Sequence, residues 1–529
     1  MSEVLVRPAA AGVRKWWALA GLALGVLAVG LDATVLSVAL PTLAGSLHAS
    51  ATDLQWFVSA YTLALAAGLL PGGLLGDRFG RKRVMLAVLA VFGIGSLACA
   101  YSPDPGFFIA ARTLQGLSAG AMIPLVLSAL AVMFTDEERP KAVGVWAAAN
   151  FLAMPVGPIL GGWLLSDYWW GWVFLLNLPV VAIGLIAVAA LVPESRAPQR
   201  PALDPAGIVT SSAGLALLVY GFIAAGQYGW SSVTAAAAIA AGVLILAGFA
   251  WWELRLGRSG RQPLVDLGLF RSARFTWGTV LQAIGVFAMF GLLFAVPQFF
   301  QAVLGTSAMG SGIRLLALIG GLAVGAPLAD QLARRIGAKL TSAAGFAVLA
   351  AGLIMGTGMT AGSGDAFIAA WTAVTGLGFG LALATAATAA LVDLPKDRAG
   401  VGSAVMQAVQ KTGAPLSAAI LGSVLTSAYK SQLHLAGLPA AAGTAVRSSV
   451  FAGVAVARRA GSPQLLAQVR TAFTHGMSDL LWVSAGLAIA GIAVALLFLP
   501  WQATAAPQSA AVPRGIGEEG GESPHERAA

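Results

Sequence analysis

From Trp16 onward the chain repeats one pattern: an apolar run near twenty residues long, a short stretch of charged or turn residues, then another apolar run. A helix rising about 1.5 Å per residue needs about twenty such residues to cross a hydrocarbon core of roughly 30 Å. The pattern predicts fourteen spans, near 17–40, 55–75, 83–101, 107–134, 142–165, 172–192, 207–226, 231–252, 275–299, 309–331, 340–360, 366–392, 400–426 and 478–500. The first run exceeds the roughly 7–15 apolar residues of a cleavable signal core, so it is predicted to remain as a span.

Charge orients these spans. One set of connections holds Arg14 and Lys15, then Arg78, Arg81, Lys82 and Arg83, then Arg139 and Lys141, and continues in this way to Lys396 and Arg398. The opposite short loops, SLHASATD, SPDPG, SDYWWG, QYGWSS, FFQAVLGTS and AGSGD, contain no lysine or arginine. Short loops rich in Lys and Arg stay cytoplasmic, so both termini are predicted inside. Segment 427–475 is the exception: it falls outside yet carries Lys430, Arg447, Arg458, Arg459 and Arg470. Charge bias governs short loops more than long ones, and this segment is expected to form an extracellular hairpin with short helices.

Composition narrows the function. The 529 residues are 58% hydrophobic and 10% charged, against about 25% charged for a soluble domain. The one cysteine, Cys99, excludes a disulfide framework and a cysteine metal site. All four histidines lie in loops or the tail, and neither HExxH nor a G-x-x-x-x-G-K-[ST] phosphate loop occurs. No cofactor, no metal, no nucleic-acid partner and no enzyme activity is expected. GLSAG (116–120) fits an esterase pattern but lies inside a span, without the strand-turn-helix setting that chemistry needs.

Asp32 breaks the first apolar run, in LDATVLSVALP (31–41). A carboxylate at the centre of a span costs about 2.5–3.5 kcal/mol on insertion scales and defaults to a functional reading. Burial favours the neutral form of a carboxyl group, so such a residue can take up and release a proton; the alternative is a structural polar contact between helices. Arg112 is its candidate partner. Asp32 lies about 13 Å below Pro41 and Arg112 about 9 Å below the start of its own span, depths within side-chain reach. A snorkelling arginine is the alternative for Arg112.

An internal repeat divides the chain. GGLLGDRFGRKR (72–83) follows span 2 and GAPLADQLARRIGAK (325–339) follows span 10, pairing Asp77 with Asp330 and Gly80 with Gly337. Repeated groups of spans build many transporters. The predicted organisation is a cytoplasmic tail 1–16, a six-helix bundle 17–192, two inserted spans with linkers in 193–274, a second six-helix bundle 275–500 containing the hairpin 427–475, and a disordered tail 501–529. Asp77, with Arg78 and Arg81 beside Gly76 and Gly80, can cap a neighbouring helix N-terminus as a cytoplasmic clamp.

These stretches together resemble the major facilitator superfamily, and more closely its fourteen-span drug:proton antiporters. LDATVLSVALP resembles that subfamily's first-span signature and GDRFGRKR the superfamily loop motif. ARTLQGLSAGAMIP (111–124) resembles the motif of span 4, GVWAAANFLAMPVGPILGGWLL (144–165) the antiporter motif of span 5, and WWGWVFLLNLPV (169–180) the start of span 6. The resemblance implies an all-α integral membrane protein with the major facilitator fold: two six-helix bundles plus two inserted central helices, 14 transmembrane spans. It implies a proton-coupled antiporter that exports hydrophobic small molecules across the bacterial cytoplasmic membrane, working as a monomer among membrane lipids. An importer or lipid translocator on the same fold, and a membrane scaffold or sensor that moves nothing, are the alternatives.

By the same resemblance Arg112 serves proton transfer with Asp32. The loop motif, with Asp330 as its second copy, locks the outward-facing state. Gly144, Pro155, Gly157, Pro158, Gly161 and Gly162 mark an exporter. Gln115, Asn150, Gln407 and Lys411 are the candidates for the substrate cavity. Exporters of dications in this subfamily tend to add carboxylates in the spans here numbered 2, 10 and 13; this chain has none there, before Asp330, and Arg314 and Lys411 lie within spans. Neutral, monocationic or anionic lipophilic substrates are therefore expected.

Overall fold

The structure, a computed structural model, describes residues 12–501 apart from 136–137, 197–203, 260–262, 264, 266, 392–398 and 436–437. Among the described residues it is helical throughout, with no strand. In chain order the helices are α1 Val13–Ser46, α2 Ala51–Phe79, α3 Arg81–Ala100, α4 Pro105–Met133, α5 Arg139–Asp167, α6 Trp172–Leu175, α7 Asn177–Leu191, α8 Pro205–Tyr228 and α9 Val233–Arg258. They continue with α10 Ala273–Ala302, α11 Ala308–Thr357, α12 Asp365–Leu391, α13 Ala399–Ser431, α14 Ala440–Ser448, α15 Val450–Arg459 and α16 Pro463–Phe498. Among the described residues, ten helices are long and apolar enough to cross a membrane, or eleven if the bent α2 is one span.

Short polar loops start these helices by capping. Ser50 and Asp53 form a reciprocal capping box on α2. Asp104 accepts from Phe107 N at 2.9 Å, with Pro105 in the first turn of α4. Ser307 does the same for Gly310 N at 3.0 Å. Exposed Tyr101, Trp163, Tyr168, Trp169, Trp172, Tyr228 and Trp230 collect at helix ends that the charge pattern assigns to the outside. Amphipathic rings favour that depth at a membrane surface. Ile183, Ile186, Val243 and Leu244 face outward from mid-helix, as suits a surface solvated by lipid.

Several predicted boundaries shift. The first helix runs through Pro41 to Ser46, because its outer turns stay packed among neighbours. Span 6 runs as one stretch, Trp172–Leu191, through α6 and α7, with Leu176 between them at helical angles. Spans 10 and 11 lie in the 50-residue stretch α11, about 75 Å if straight; it breaks at Gly337, whose φ of 84° is non-helical. The amphipathic stretch at 462–477 is no separate hairpin helix but the outer part of α16, continuous with the last span.

The repeat extends into the packing. Gly80, between α2 and α3, has φ 110° and ψ 124°; Gly337 has φ 84° and ψ 157°. The backbone that joins the second and third spans is thus left-handed in both halves, a region glycine enters at little cost. Upstream, Gly68 and Gly72 precede Asp77 by nine and five residues, and Gly321 and Gly325 precede Asp330 by the same steps. All four sit at backbone crossings: a Cβ on Gly72 would lie 2.3 Å from Ala121 Cα on α4, and one on Gly325 2.3 Å from Leu377 O on α12. Small residues at this spacing let membrane helices touch backbone to backbone. The remaining neighbours match too: α1 packs on α5 and α7 as α10 packs on α13 and α16.

Where the halves meet, the contacts sit at the helix ends that the charge pattern assigns to the outside. Gln301 Nε2 donates to Val38 O at 3.1 Å, joining α10 to α1. Gln55 Nε2 donates to Thr426 Oγ1 at 3.2 Å, joining α2 to α13. A Cβ on Gly162 would lie 2.6 Å from Met309 Cα, and one on Gly312 2.4 Å from Pro158 O, so α5 and α11 touch directly. Among the described residues the two halves are therefore in contact at the ends that the charge pattern assigns to the outside. The hairpin helices α14 and α15 pack on each other, and α15 reaches α1, α10 and α16. The inserted pair α8–α9 lays α8 against both α2 and α13, with Ser423 Oγ donating to Phe222 O.

The two loop glycines differ in surroundings. A Cβ at Gly80 would meet Glu194 Oε1 at 2.6 Å, whereas nothing lies within 4 Å of one at Gly337. Alanine at either position should cost about 1–3 kcal/mol in backbone strain. Gly80→Ala should also displace Glu194, so its melting temperature in detergent should fall further than that of Gly337→Ala. Equal losses would show that the Glu194 contact adds nothing.

Candidate functional site

Asp32 is 2% exposed and Arg112 1% exposed, deep in the first bundle. Arg112 Nη1 donates to Asp32 Oδ2 at 2.5 Å, as the matching depths predict. The other carboxylate oxygen, Oδ1, accepts from Gln115 Nε2 at 2.8 Å and from Asn177 Nδ2 at 3.0 Å. Both amides also donate to Ser96 Oγ, at 2.8 Å and 3.2 Å. Four spans thus converge on one carboxylate: α1 brings Asp32, α3 Ser96, α4 Arg112 and Gln115, and the first residue of α7 Asn177.

Arg112 does not rely on Asp32 alone. Nη1 also donates to Gln115 Oε1 at 2.7 Å, and Nε approaches Phe57 O at 3.5 Å. Its guanidinium carbon lies 4.0 Å from the centre of the Tyr61 ring, a cation–π contact that strengthens when water is excluded. Cys99 Sγ lies 3.6 Å from Gln115 Oε1. A buried pair of this kind is stable only if extra hydrogen bonds satisfy the remaining lone pairs and N–H groups, and here both carboxylate oxygens and the Nε and Nη1 of the guanidinium have partners.

Gln115 needs correction. It was expected in the substrate cavity, yet it is 0% exposed and belongs to the hydrogen-bond shell of Asp32. Its place three residues after Arg112 turns both side chains to the same helix face. The side chains of Asn150, Gln407 and Lys411, like Gly144 and Pro155, lie outside the described residues. Asn177, Ser96 and Tyr61 have functional positions that the sequence reading did not assign. The available signal was an asparagine and a serine inside apolar spans, at the depth of Asp32.

The described part of the α5 motif packs beside this site. A Cβ on Gly157 would fall 2.0 Å from Thr34 Oγ1, and one on Gly161 2.7 Å from Val35 Cγ1. Thr34 Oγ1 donates to Ala153 O at 3.1 Å. The motif therefore holds α1 one turn beyond Asp32, while Gly162 and Pro158 meet α11 across the seam.

At the end that the charge pattern assigns to the cytoplasm, Asp77 caps no neighbouring helix among the described residues, which leave out 392–398 before α13. Its Oδ1 accepts from Arg81 Nε at 3.0 Å and Nη2 at 2.8 Å, a pair one turn apart in sequence across Gly80. Arg78 lies over the Phe79 ring at 5.7 Å. Gly76 leaves room for Leu125, whose Cδ2 a Cβ would meet at 2.3 Å. The unforeseen member is Glu194, after α7: it accepts from Lys82 N at 3.3 Å and pairs with Arg83 at 3.6 Å. Arg81 N donates to Ser195 O at 2.9 Å. Lys15 donates to Glu138 at 2.6 Å and holds that exposed carboxyl below its usual range. Asp330 is exposed and has no ion pair among the described residues. Arg314 pairs with Asp365 at 2.7 Å at the external rim, away from the centre.

Residues 22–418 match the family model described as the Major Facilitator Superfamily. The chain is 33% identical over 497 residues to the tetracenomycin C resistance and export protein of Streptomyces glaucescens, covering 91% of each chain. It is 33% identical over 491 residues to the multidrug efflux pump LfrA of Mycolicibacterium smegmatis, covering 91% of this chain and 95% of that one. It is 32% identical over 492 residues to the methyl viologen resistance protein SmvA of Salmonella typhimurium, covering 92% and 98%. Among solved structures, an inward-facing bacterial homologue of the lysosomal transporter Spinster superposes with a TM-score of 0.66 at 16% identity, covering 92% and 98%. A D-xylose–proton symporter superposes with a TM-score of 0.58 at 15% identity, covering 92% and 98%. With two packed bundles, a shared loop glycine geometry and a family match across most of its length, this chain belongs to the Major Facilitator Superfamily.

Proposed function

We propose that this protein is a proton-coupled antiporter that exports lipophilic small molecules through a fourteen-span membrane domain with both termini cytoplasmic. The observation that carries this reading is the buried Asp32–Arg112 pair with its ring of amide donors. The printed names of the relatives, which are export, efflux and resistance proteins, support the direction.

The chemistry follows from the partners. Ionised Asp32 is balanced by Arg112. When a proton reaches Oδ2, Arg112 keeps Gln115 Oε1 and the Tyr61 ring, so its charge is not stranded. Asp32 Oδ1 keeps both amide donors in either state. The Asp32–Arg112 contact can therefore break and re-form without leaving a buried ion bare, a condition for coupling a proton to bundle movement. One proton moving inward down 100 mV releases about 2.3 kcal/mol, enough for about a fifty-fold gradient.

Asp32→Asn should express and assemble normally but lose proton-driven efflux in proteoliposomes. Efflux at the wild-type rate would reject Asp32 as the coupling site and favour a scaffold. Uptake measured in inverted vesicles separates exporter from importer. Asp77→Asn should slow turnover more than it weakens substrate binding, since Asp77 acts on the balance of states. A large loss of binding at unchanged turnover would sink the clamp.

Substrate charge is the finer proposal. Asp365 is held by Arg314, and Asp32 pairs with Arg112 and is needed by the proton, so a dication would find at most one carboxylate among these. Neutral, monocationic or anionic lipophiles are the expected cargo. A second reading, dications, is favoured by the name of the methyl viologen relative. Transport of methyl viologen against neutral, monocationic and anionic compounds of matched hydrophobicity decides between them; preferential pumping of methyl viologen would overturn the first.

A further inference from the structure

Segment 427–475 is the place where the chain breaks its own charge rule, and the fold shows where that charge goes. Between the outer ends of α1 and α10 and the flank of α15 lies a cavity of about 540 Å³. Its floor is Pro41, Thr42, Gln301 and Gly305, its wall Phe451 and Val454, and its rim Arg458 and Arg459. Both arginines belong to the last turn of α15 and are exposed. A third approaches from α16: a Cβ on Gly305 would lie 3.7 Å from Arg470 Nη2. Arg470 Nε is shielded from solvent without a hydrogen-bond partner among the described residues. Among the described residues no aspartate or glutamate lines the cavity. The ion pair of Arg314 with Asp365, made by α11 and α12, does not line it.

We infer that this cavity is an external binding site for the oxyanion of an amphiphile, a phosphate or carboxylate group carried on an apolar body. Guanidinium groups match planar and tetrahedral oxyanions with paired N–H donors. Phe451, Val454 and Ala302 supply apolar wall for the attached body. Three like charges near one mouth repel one another unless an anion joins them. The site is built from both halves, with α1 from one and α10 from the other, bridged by α15. An occupant would therefore favour the externally closed arrangement, where these walls lie together. The inference is independent of the role of Asp32. The same chemistry could come from a lipid headgroup of the outer leaflet or from a dissolved amphiphilic anion.

The test uses full-length protein in nanodiscs of phosphatidylcholine, titrated with 1-naphthyl phosphate and with the similarly shaped cation 1-naphthylmethylammonium. The anion should bind and the cation should not. Arg458→Ala/Arg459→Ala should weaken anion binding about ten-fold or more at an unchanged melting temperature, and Arg458→Lys/Arg459→Lys should largely restore it. Arg459→Glu, at an exposed position, should shift preference toward the cation, a result that general damage to the fold would not produce. Nanodiscs with one third phosphatidylglycerol distinguish the sources. Displacement of the naphthyl phosphate assigns the site to lipid headgroups, and unchanged binding assigns it to dissolved anions. Equal binding of anion and cation, or anion binding indifferent to all of these arginine changes, would overturn the inference.

Discussion

A carboxylate and a guanidinium, each almost fully removed from solvent, meet within one helix bundle, and the rest of the molecule is arranged to make that tolerable. Removing either partner of such a pair typically costs about 3–5 kcal/mol, because the other is left charged in a medium that cannot solvate it. Here the burden is spread. Asp32 takes hydrogen bonds from α4 and α7, and Arg112 leans on Gln115, Phe57 and Tyr61. Those contacts need α1, α2, α3, α4 and α7 at fixed rotation. The close glycine crossings between α2 and α4, and between α1 and α5, fix that rotation. The polar centre and the small-residue seams are thus one design constraint seen at two places.

The same constraint links the centre to the seam between halves. Gly157 and Gly161 press α5 on α1 at Thr34 and Val35, two and three residues beyond Asp32, and Gly162 presses it on α11. A change in the Asp32–Arg112 contact that turns α1 must be felt by α5, and through α5 by the second bundle. Interfaces packed this tightly tend to hold discrete arrangements rather than bend continuously. At the end assigned to the outside by charge, three such contacts join the halves, while at the other end the polar contacts among the described residues, Asp77 with Arg81, Glu194 with Arg83 and Lys15 with Glu138, stay within the first half.

Much of this was legible in the sequence because depth along a helix is linear in residue number. Asp32 and Arg112 could be matched by counting, and Gly80 could be paired with Gly337 from the repeat alone. Rotation about the helix axes was not legible. Asn177 and Ser96 each look like an isolated polar residue in its own span, Gln115 reads as a second polar residue on the face of Arg112, and only the assembled bundle turns all three toward one carboxylate. Glu194 was hidden for a similar reason: it stands far from Arg83 in sequence, after another span, and meets it only when α7 returns to the cytoplasmic side. Helix ends misled where apolarity and helicity part company, as in α16, whose polar outer turns continue a helix that hydropathy starts later.

The inserted helix α8 gives the molecule a handed flank. A pair of bundles leaning together leaves two lateral clefts facing the bilayer, one beside α2 and α13, the other beside α5 and α11. Packing by α8, through Val219, Ile223 and Ala419 with Trp56, fills the first with protein. The second has no such cover in α8 or α9, whose contacts lie with each other, α2 and α13. The bilayer therefore meets inserted protein along one flank and, along the other, the seam where α5 and α11 touch directly.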